Sequence, residues 1–164
     1  MTSKEEARNK LSIPIQDRVI LFFGVIRDYK GLDILLDAMA LIPQENIKVL
    51  IAGEFYNNAQ IYLDQIKKNK LENSVFLHDS FIPDDQIKIY FCAADAVVQP
   101  YKNATQSGVT QICYHFNKPM IVTNVGGLPE IVEHGVVGYV VEPNAKEISK
   151  AIQTFYTEGK EHSM

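Results

Sequence analysis

The stretch Val19-Ile20-Leu21-Phe22-Phe23-Gly24-Val25-Ile26-Arg27-Asp28-Tyr29-Lys30-Gly31 decides the fold. Its first five residues are apolar without polar alternation, as in strands covered by helices on both faces, so the run is read as a central strand. Gly24 breaks the run and two cations follow. From Gly31 to Ile42 the chain is apolar almost all round, with Asp33 and Asp37 at i,i+4 spacing marking one wet edge of a deeply packed helix that Pro43 ends. Strand, glycine turn and helix in this order open a βα repeat.

Working outward, the same pattern recurs. Short β-branched or aromatic runs at Lys48 to Ala52, Val75 to His78, Ala96 to Gln99, Met120 to Thr123 and Tyr139 to Val141 alternate with longer helical patterns. With Val19 to Phe23 they make about six strands of a parallel α/β sheet. Ser3 and Glu6 form a capping box for a first helix to about Leu11, stopped by Pro14. Asn57 to Lys70 predicts an amphipathic helix with Ile61, Tyr62, Leu63 and Ile66 inward and Asp64, Lys67 and Lys68 outward. Asp84 or Asp85 suits the cap of a helix to about Ala93, another helix ends near Phe116, and Asn144 caps a helix from Ala145 to Tyr156.

At 164 residues, 46% hydrophobic and 22% charged, the chain has the size and composition of one ordinary globular domain. Sixteen basic against twenty acidic residues give a net charge of −4, and no like-charge block marks a nucleic-acid footprint, so any anion site must be local. Cys92 and Cys113 sit beside apolar neighbours without CxxC spacing, which predicts buried free thiols in a reducing, cytoplasmic setting. The polar N-terminus lacks the apolar stretch of a secretory signal. No run approaches the roughly 18 apolar residues of a transmembrane helix.

Four glycines fall just beyond predicted strands: Gly24, Gly53, Gly126 and Gly127. Parallel sheets bind ligands at the carboxyl ends of their strands, although tight βα turns call for glycine in any case. Neither GxGxxG nor GxxxxGK[ST] is present. Arg27 and Lys30 lie just before a helix N-terminus, where cations disfavour the helix but suit a phosphate; solvated surface charge is the alternative. The polar turn Pro100 to Val109, with Ser107 as a plain N-cap or as part of an anion cradle, leads into the helix ending near Phe116. His78, His115, His134 and His162 have no metal-ligand spacing.

The succession FFGVIRDYKGLDILLDA (22–38), VLIAGE (49–54), VFLHDSFIPDDQI (75–87), YFCAADAVVQPY (90–101), NKPMIVTNVGGLPEIV (117–132) and GYVVEP (138–143) resembles the C-terminal, donor-binding domain of retaining GT-B glycosyltransferases of the "group 1" family. The order and spacing of the pieces carry the likeness. It implies a Rossmann-like half of a GT-B fold that binds a nucleotide diphosphate sugar, facing a separate N-terminal acceptor domain for which this chain has no room. By the same resemblance Lys30 contacts the donor diphosphate with Arg27 as a second cation, and both assist departure of the nucleotide. Gly24 lets the backbone approach the ligand, Phe81 and Ile82 hold the nucleobase, amides near Ser107 and Gly108 face the diphosphate, and Glu130 touches the donor sugar. Phe81-Ile82-Pro83 also reads as a hydrophobic staple, and Glu130 as a favourable helix-dipole charge. No metal or other cofactor is implied, and no nucleic acid.

The family typically places a glutamate four residues after the strand-ending proline and another eight residues later. Here those positions are Ala104 and Ile112, and the intervening family glycine is Ser107, with Gly108 one place on. A divergent donor site using Thr105, Gln106 or Tyr101 for the sugar is the favoured reading. The alternatives are a sugar-nucleotide epimerase of the same architecture and a non-catalytic scaffold with a degenerate donor site.

Overall fold

The structure, a computed structural model, describes residues 2–43, 46–103, 107–132 and 137–159. The apolar runs form strands β1 (Arg18–Phe23), β2 (Ile47–Ala52), β3 (Val75–His78), β4 (Ala96–Gln99), β5 (Met120–Thr123) and β6 (Gly138–Val141). Each predicted strand is present, with β1, β2 and β6 one residue longer than expected. Between them run helices α1 (Lys4–Lys10), α2 (Leu32–Ala40), α3 (Gln60–Lys68), α4 (Ile87–Ala93), α5 (Gly108–His115), α6 (Leu128–Ile131) and α7 (Ala145–Thr157).

All strand pairs are parallel and the order is β3-β2-β1-β4-β5-β6. This is the Rossmann order, in which the chain builds outward from β1 on one side and then returns to pair β4 against its other edge. Register is set by Ile20↔Ala96 and Leu21↔Val97 on that side, and by Arg18↔Ile47 through Phe23↔Ala52 on the other.

Two cores explain why β1 lacks polar alternation. Ile20 and Phe22 face α2, α3 and α7 with Leu35, Leu36, Ile66 and Phe155. Val19 and Leu21 face α4, α5 and α6 with Phe91, Cys113 and Leu128. Each fully buried Leu or Phe contributes roughly 1.5–3 kcal/mol. α1 closes over α4 through Ala7, Ile89 and Ala93, and Arg8 is buried beside them at 2% exposure. Its guanidinium donates to the carbonyls of Ala93 and Ile15 and to Asp95 Oδ1. Asp95 also accepts from Lys4 Nζ, the Val19 N–H and the Tyr156 hydroxyl. A carboxylate with four donors thus fastens α1, β1 and α7 to the turn before β4. Burial would raise its pKa, but the Lys4 and Val19 hydrogen bonds and the charges of Lys4 and Arg8 hold it below the ordinary value.

Several local expectations are corrected. Ile61 and Leu63 point outward at 62% and 38% exposure, because α3 lays only its Tyr62 and Ile66 stripe on the core. α3 starts at Gln60 rather than Asn57, since Asn58 Oδ1 accepts from the Gln60 N–H and makes a turn there. Neither Asp84 nor Asp85 caps α4: they form a 3-10 turn, Asp84–Gln86, entered from Pro83 without a side-chain cap. Cys113 is buried as expected, whereas Cys92 is half-buried because it sits between α1 and the surface. The Ser3 and Asn144 caps are present, each side chain accepting from the N–H three residues on.

Candidate functional site

The strand order reverses between β1 and β4, so the loops that follow these two strands meet at the carboxyl edge of the sheet. Gly31, at φ 75, is where they touch: a Cβ there would stand 1.8 Å from the Pro100 carbonyl oxygen. The Lys102 N–H donates to the Tyr29 carbonyl at 2.7 Å. Its ammonium bridges Asp28 at 3.0 Å and Asp33 at 3.1 Å. Burial would lower the Lys102 pKa, but its hydrogen bonds to the two carboxylates raise it above the usual value. Tyr29 and Tyr101 pack edge to face beneath this tie.

On the other side of β1 the ladder continues past the strand ends. The Ile26 N–H donates to Glu54 O, and the Tyr56 N–H to Ile26 O. This pairing sets Tyr56 against Arg27, whose guanidinium lies 3.9 Å from the ring centroid. Lys30 folds back over Gly24: its Nζ is 2.9 Å from the point a Cβ on Gly24 would occupy, and Gly24 has φ 115. Burial first, and then the charge of Arg27, lowers the Lys30 pKa. Two cations therefore share one loop, and among the described residues neither is paired with a carboxylate.

Beside them lies a cleft of about 190 Å³ lined by Gly24, Val25, Gly53, Glu54, Phe81 and Ile82, among others. Phe81 is two-thirds exposed and Ile82 buried, giving one apolar wall with a free edge. The structure thus brings Gly24, Lys30, Arg27, Phe81 and Ile82 to one place.

The remaining candidates sit elsewhere. Ser107 occupies the N-cap position of α5 but caps nothing with its side chain. It is buried and its hydroxyl donates to Gln99 Oε1 at 2.5 Å, while Gln99 donates to Thr110. Tyr101 is 3% exposed with its hydroxyl 3.5 Å from Ser107 Oγ, and burial pushes its pKa up to about 12. Gly108 is open: a Cβ there would meet no atom within 4 Å. Glu130 is exposed in the first turn of α6. Ile112 packs, partly buried, against the α4–α6 core. Ala104, Thr105, Gln106 and His134 lie outside the described residues. Sequence reasoning missed Tyr56, Glu54 and the Lys102 bridge, since each depends on a partner far along the chain.

Among the described residues no helix is long and apolar enough to cross a membrane, and no three His, Cys, Asp or Glu side chains cluster as metal ligands.

Comparison with known proteins gives the same architecture. The chain is 30% identical over 151 residues to a D-inositol 3-phosphate glycosyltransferase of Corynebacterium efficiens, a match that takes in 84% of this chain and 34% of that protein. It spans about a third of the length of the curated relatives it matches. The crystal structure of Anabaena HepE in complex with UDP-glucose superimposes with a TM-score of 0.85 at 26% identity, over 96% of this chain and 44% of that one. A C-terminal domain of a group 1 family glycosyl transferase from Francisella tularensis matches at TM-score 0.83 and 20% identity, over 98% of this chain and 86% of that one. The family described as glycosyl transferases group 1 matches residues 3–164, and the chain therefore belongs to the group 1 glycosyltransferases.

Proposed function

We propose that this chain is the donor-binding domain of a longer glycosyltransferase that moves a hexosyl group, with retained configuration, from a nucleotide diphosphate sugar to an acceptor held by a second domain. The observation that carries the reading is the meeting, at Gly24, of an apolar cleft and the Lys30 ammonium at the carboxyl ends of β1 and β2. A base fits against Phe81 and Ile82. The diphosphate then lies toward Lys30, with the first-turn amides of α5 beside the open space at Gly108. As the glycosidic bond breaks, negative charge grows on the departing diphosphate. Lys30, Arg27 and these amides supply the positive charge that stabilises it, a role that needs no metal ligand from the protein. HepE in complex with UDP-glucose makes uridine diphosphate sugars the first donors to test.

The test is a panel of nucleoside diphosphates scored by melting temperature and calorimetry. At least one is expected to raise the melting temperature of the wild type and not that of Lys30→Ala. Indifference to the whole panel favours the scaffold reading, to which Ile112 lends support: it packs, partly buried, against the α4–α6 core and offers no acceptor to a ribose or sugar hydroxyl.

A further inference from the structure

A cavity of about 590 Å³ opens at the opposite, N-terminal edge of the sheet, lined by Lys4, Lys88, Cys92, His115, Phe116 and Lys118 with their neighbours. Lys118 stands two residues before β5 and Asp95 one residue before β4, so this cavity and the Gly24 cleft lie at opposite ends of the strands. No acidic side chain lines it among the described residues. Asp95 lies behind it, already saturated by Lys4, Arg8, the Val19 N–H and the Tyr156 hydroxyl. The Lys118 ammonium donates to the Ala94 carbonyl at 2.7 Å, which satisfies one proton and none of its charge. Lys4, Lys88 and Lys118 thus line the cavity, while Lys4 and Arg8 share the Asp95 carboxylate behind it, in a chain whose net charge is −4.

We infer that this cavity is a second ligand site, for a small phosphate-bearing polyanion. Its volume lies within the roughly 300–1,000 Å³ of small-molecule pockets. Phe116 and Cys92 supply an apolar wall, and the lysines supply charge-assisted donors. Burial first, and then the charge of Lys4, lowers the Lys118 pKa to about 8, while Cys92 and Asp95 act in the opposite direction. Among the described residues the charged and titratable groups acting on Lys118 are Lys4 and Arg8 on α1, Cys92 on α4 and Asp95, with Lys88 and His115 lining the same cavity. An anion among them returns Lys118 to its protonated form, so binding near pH 8.5 takes up a proton.

The experiment titrates inorganic pyrophosphate into the Lys30→Ala protein, in which the Gly24 cleft has lost its central cation. Calorimetry near pH 8.5 in two buffers of different ionisation enthalpy should show binding, and the number of protons taken up should fall on Lys118→Met, a difference from which the ionisation of the pyrophosphate itself cancels. Lys88→Glu, an exposed change, should weaken binding about tenfold or more in that background. If Lys118→Met fails to fold, Lys88→Glu decides alone. Absence of binding in Lys30→Ala, or equal affinity after Lys88→Glu, overturns the assignment.

Discussion

Lys30 Nζ stands 2.9 Å from the point where a Cβ on Gly24 would sit, so the position of the ammonium depends on the missing side chain. Gly24 also holds φ 115, a conformation that L side chains rarely adopt. Gly24→Ala should therefore cost about 1–3 kcal/mol of stability through backbone strain, and should displace Lys30. Chemical denaturation measures the first effect. Calorimetry with UDP measures the second, and undiminished affinity in the folded variant would separate Lys30 from the donor site.

Lys30→Ala should weaken nucleoside diphosphate binding by about 1.5–3 kcal/mol, the range for charge-assisted hydrogen bonds. The protonated amine binds the anion. Because burial and Arg27 set its pKa below 10.5, affinity in the free protein should begin to fall at a lower pH than an ordinary lysine would give. Titrations across the alkaline range in wild type and Lys30→Ala check this, since the variant should lose that part of the pH dependence.

Ser107→Ala separates packing from ligand contact. The Ser107 hydroxyl donates to the buried Gln99 amide oxygen at 2.5 Å, and leaving that oxygen unpaired should cost about 1–3 kcal/mol of stability. Its side chain points into the protein, so nucleotide affinity should stay within about twofold of wild type. A large loss of affinity with unchanged stability would return the hydroxyl to the binding site.

Asp95→Ala should be the most damaging of these changes, at about 3–5 kcal/mol, because it strands Arg8 at 2% exposure without its carboxylate. The folded-state pKa of Asp95 lies below its ordinary 3.8. Its contribution is therefore complete above that ordinary value and lost as the pH falls through the folded pKa. Urea denaturation from pH 3 to 7 should show the wild-type advantage over Asp95→Ala shrinking at the acid end.

The fold was legible because a strand buried on both faces has no polar residue to blur it, as Val19 to Phe23 and Ala96 to Val98 show. Caps read well where side chain and target are three residues apart, as at Ser3 and Asn144. Contacts across the fold were not legible. Nothing near Arg27 in sequence announces Tyr56, which arrives through the Ile26–Glu54 pairing beyond the strand ends. Ser107 read as a cap or as part of an anion cradle because its partner Gln99 hides at the end of a strand. Ile61 and Leu63 read as core because apolar character alone does not say which stripe of an isolated helix is covered.

Turnover is the remaining prediction, and it depends on geometry that a donor site alone does not provide. Holding an acceptor hydroxyl within reach of the anomeric carbon accounts for roughly 7–11 kcal/mol of a barrier, and under the proposed function the contacts assembled around Gly24 all serve the donor. The 164-residue chain should therefore transfer no sugar by itself and show at most slow donor hydrolysis, in which water replaces the acceptor. Joined to the second, acceptor-holding domain of the proposed function, it should transfer. There Arg27→Ala and Lys30→Ala should lower kcat as well as affinity, because the leaving diphosphate carries more charge in the transition state than in the bound donor. Release of nucleotide and labelled product across a donor panel measures this. A folded full-length protein that turns over no donor would instead identify Ala104 and Ile112 as marks of a lost active site.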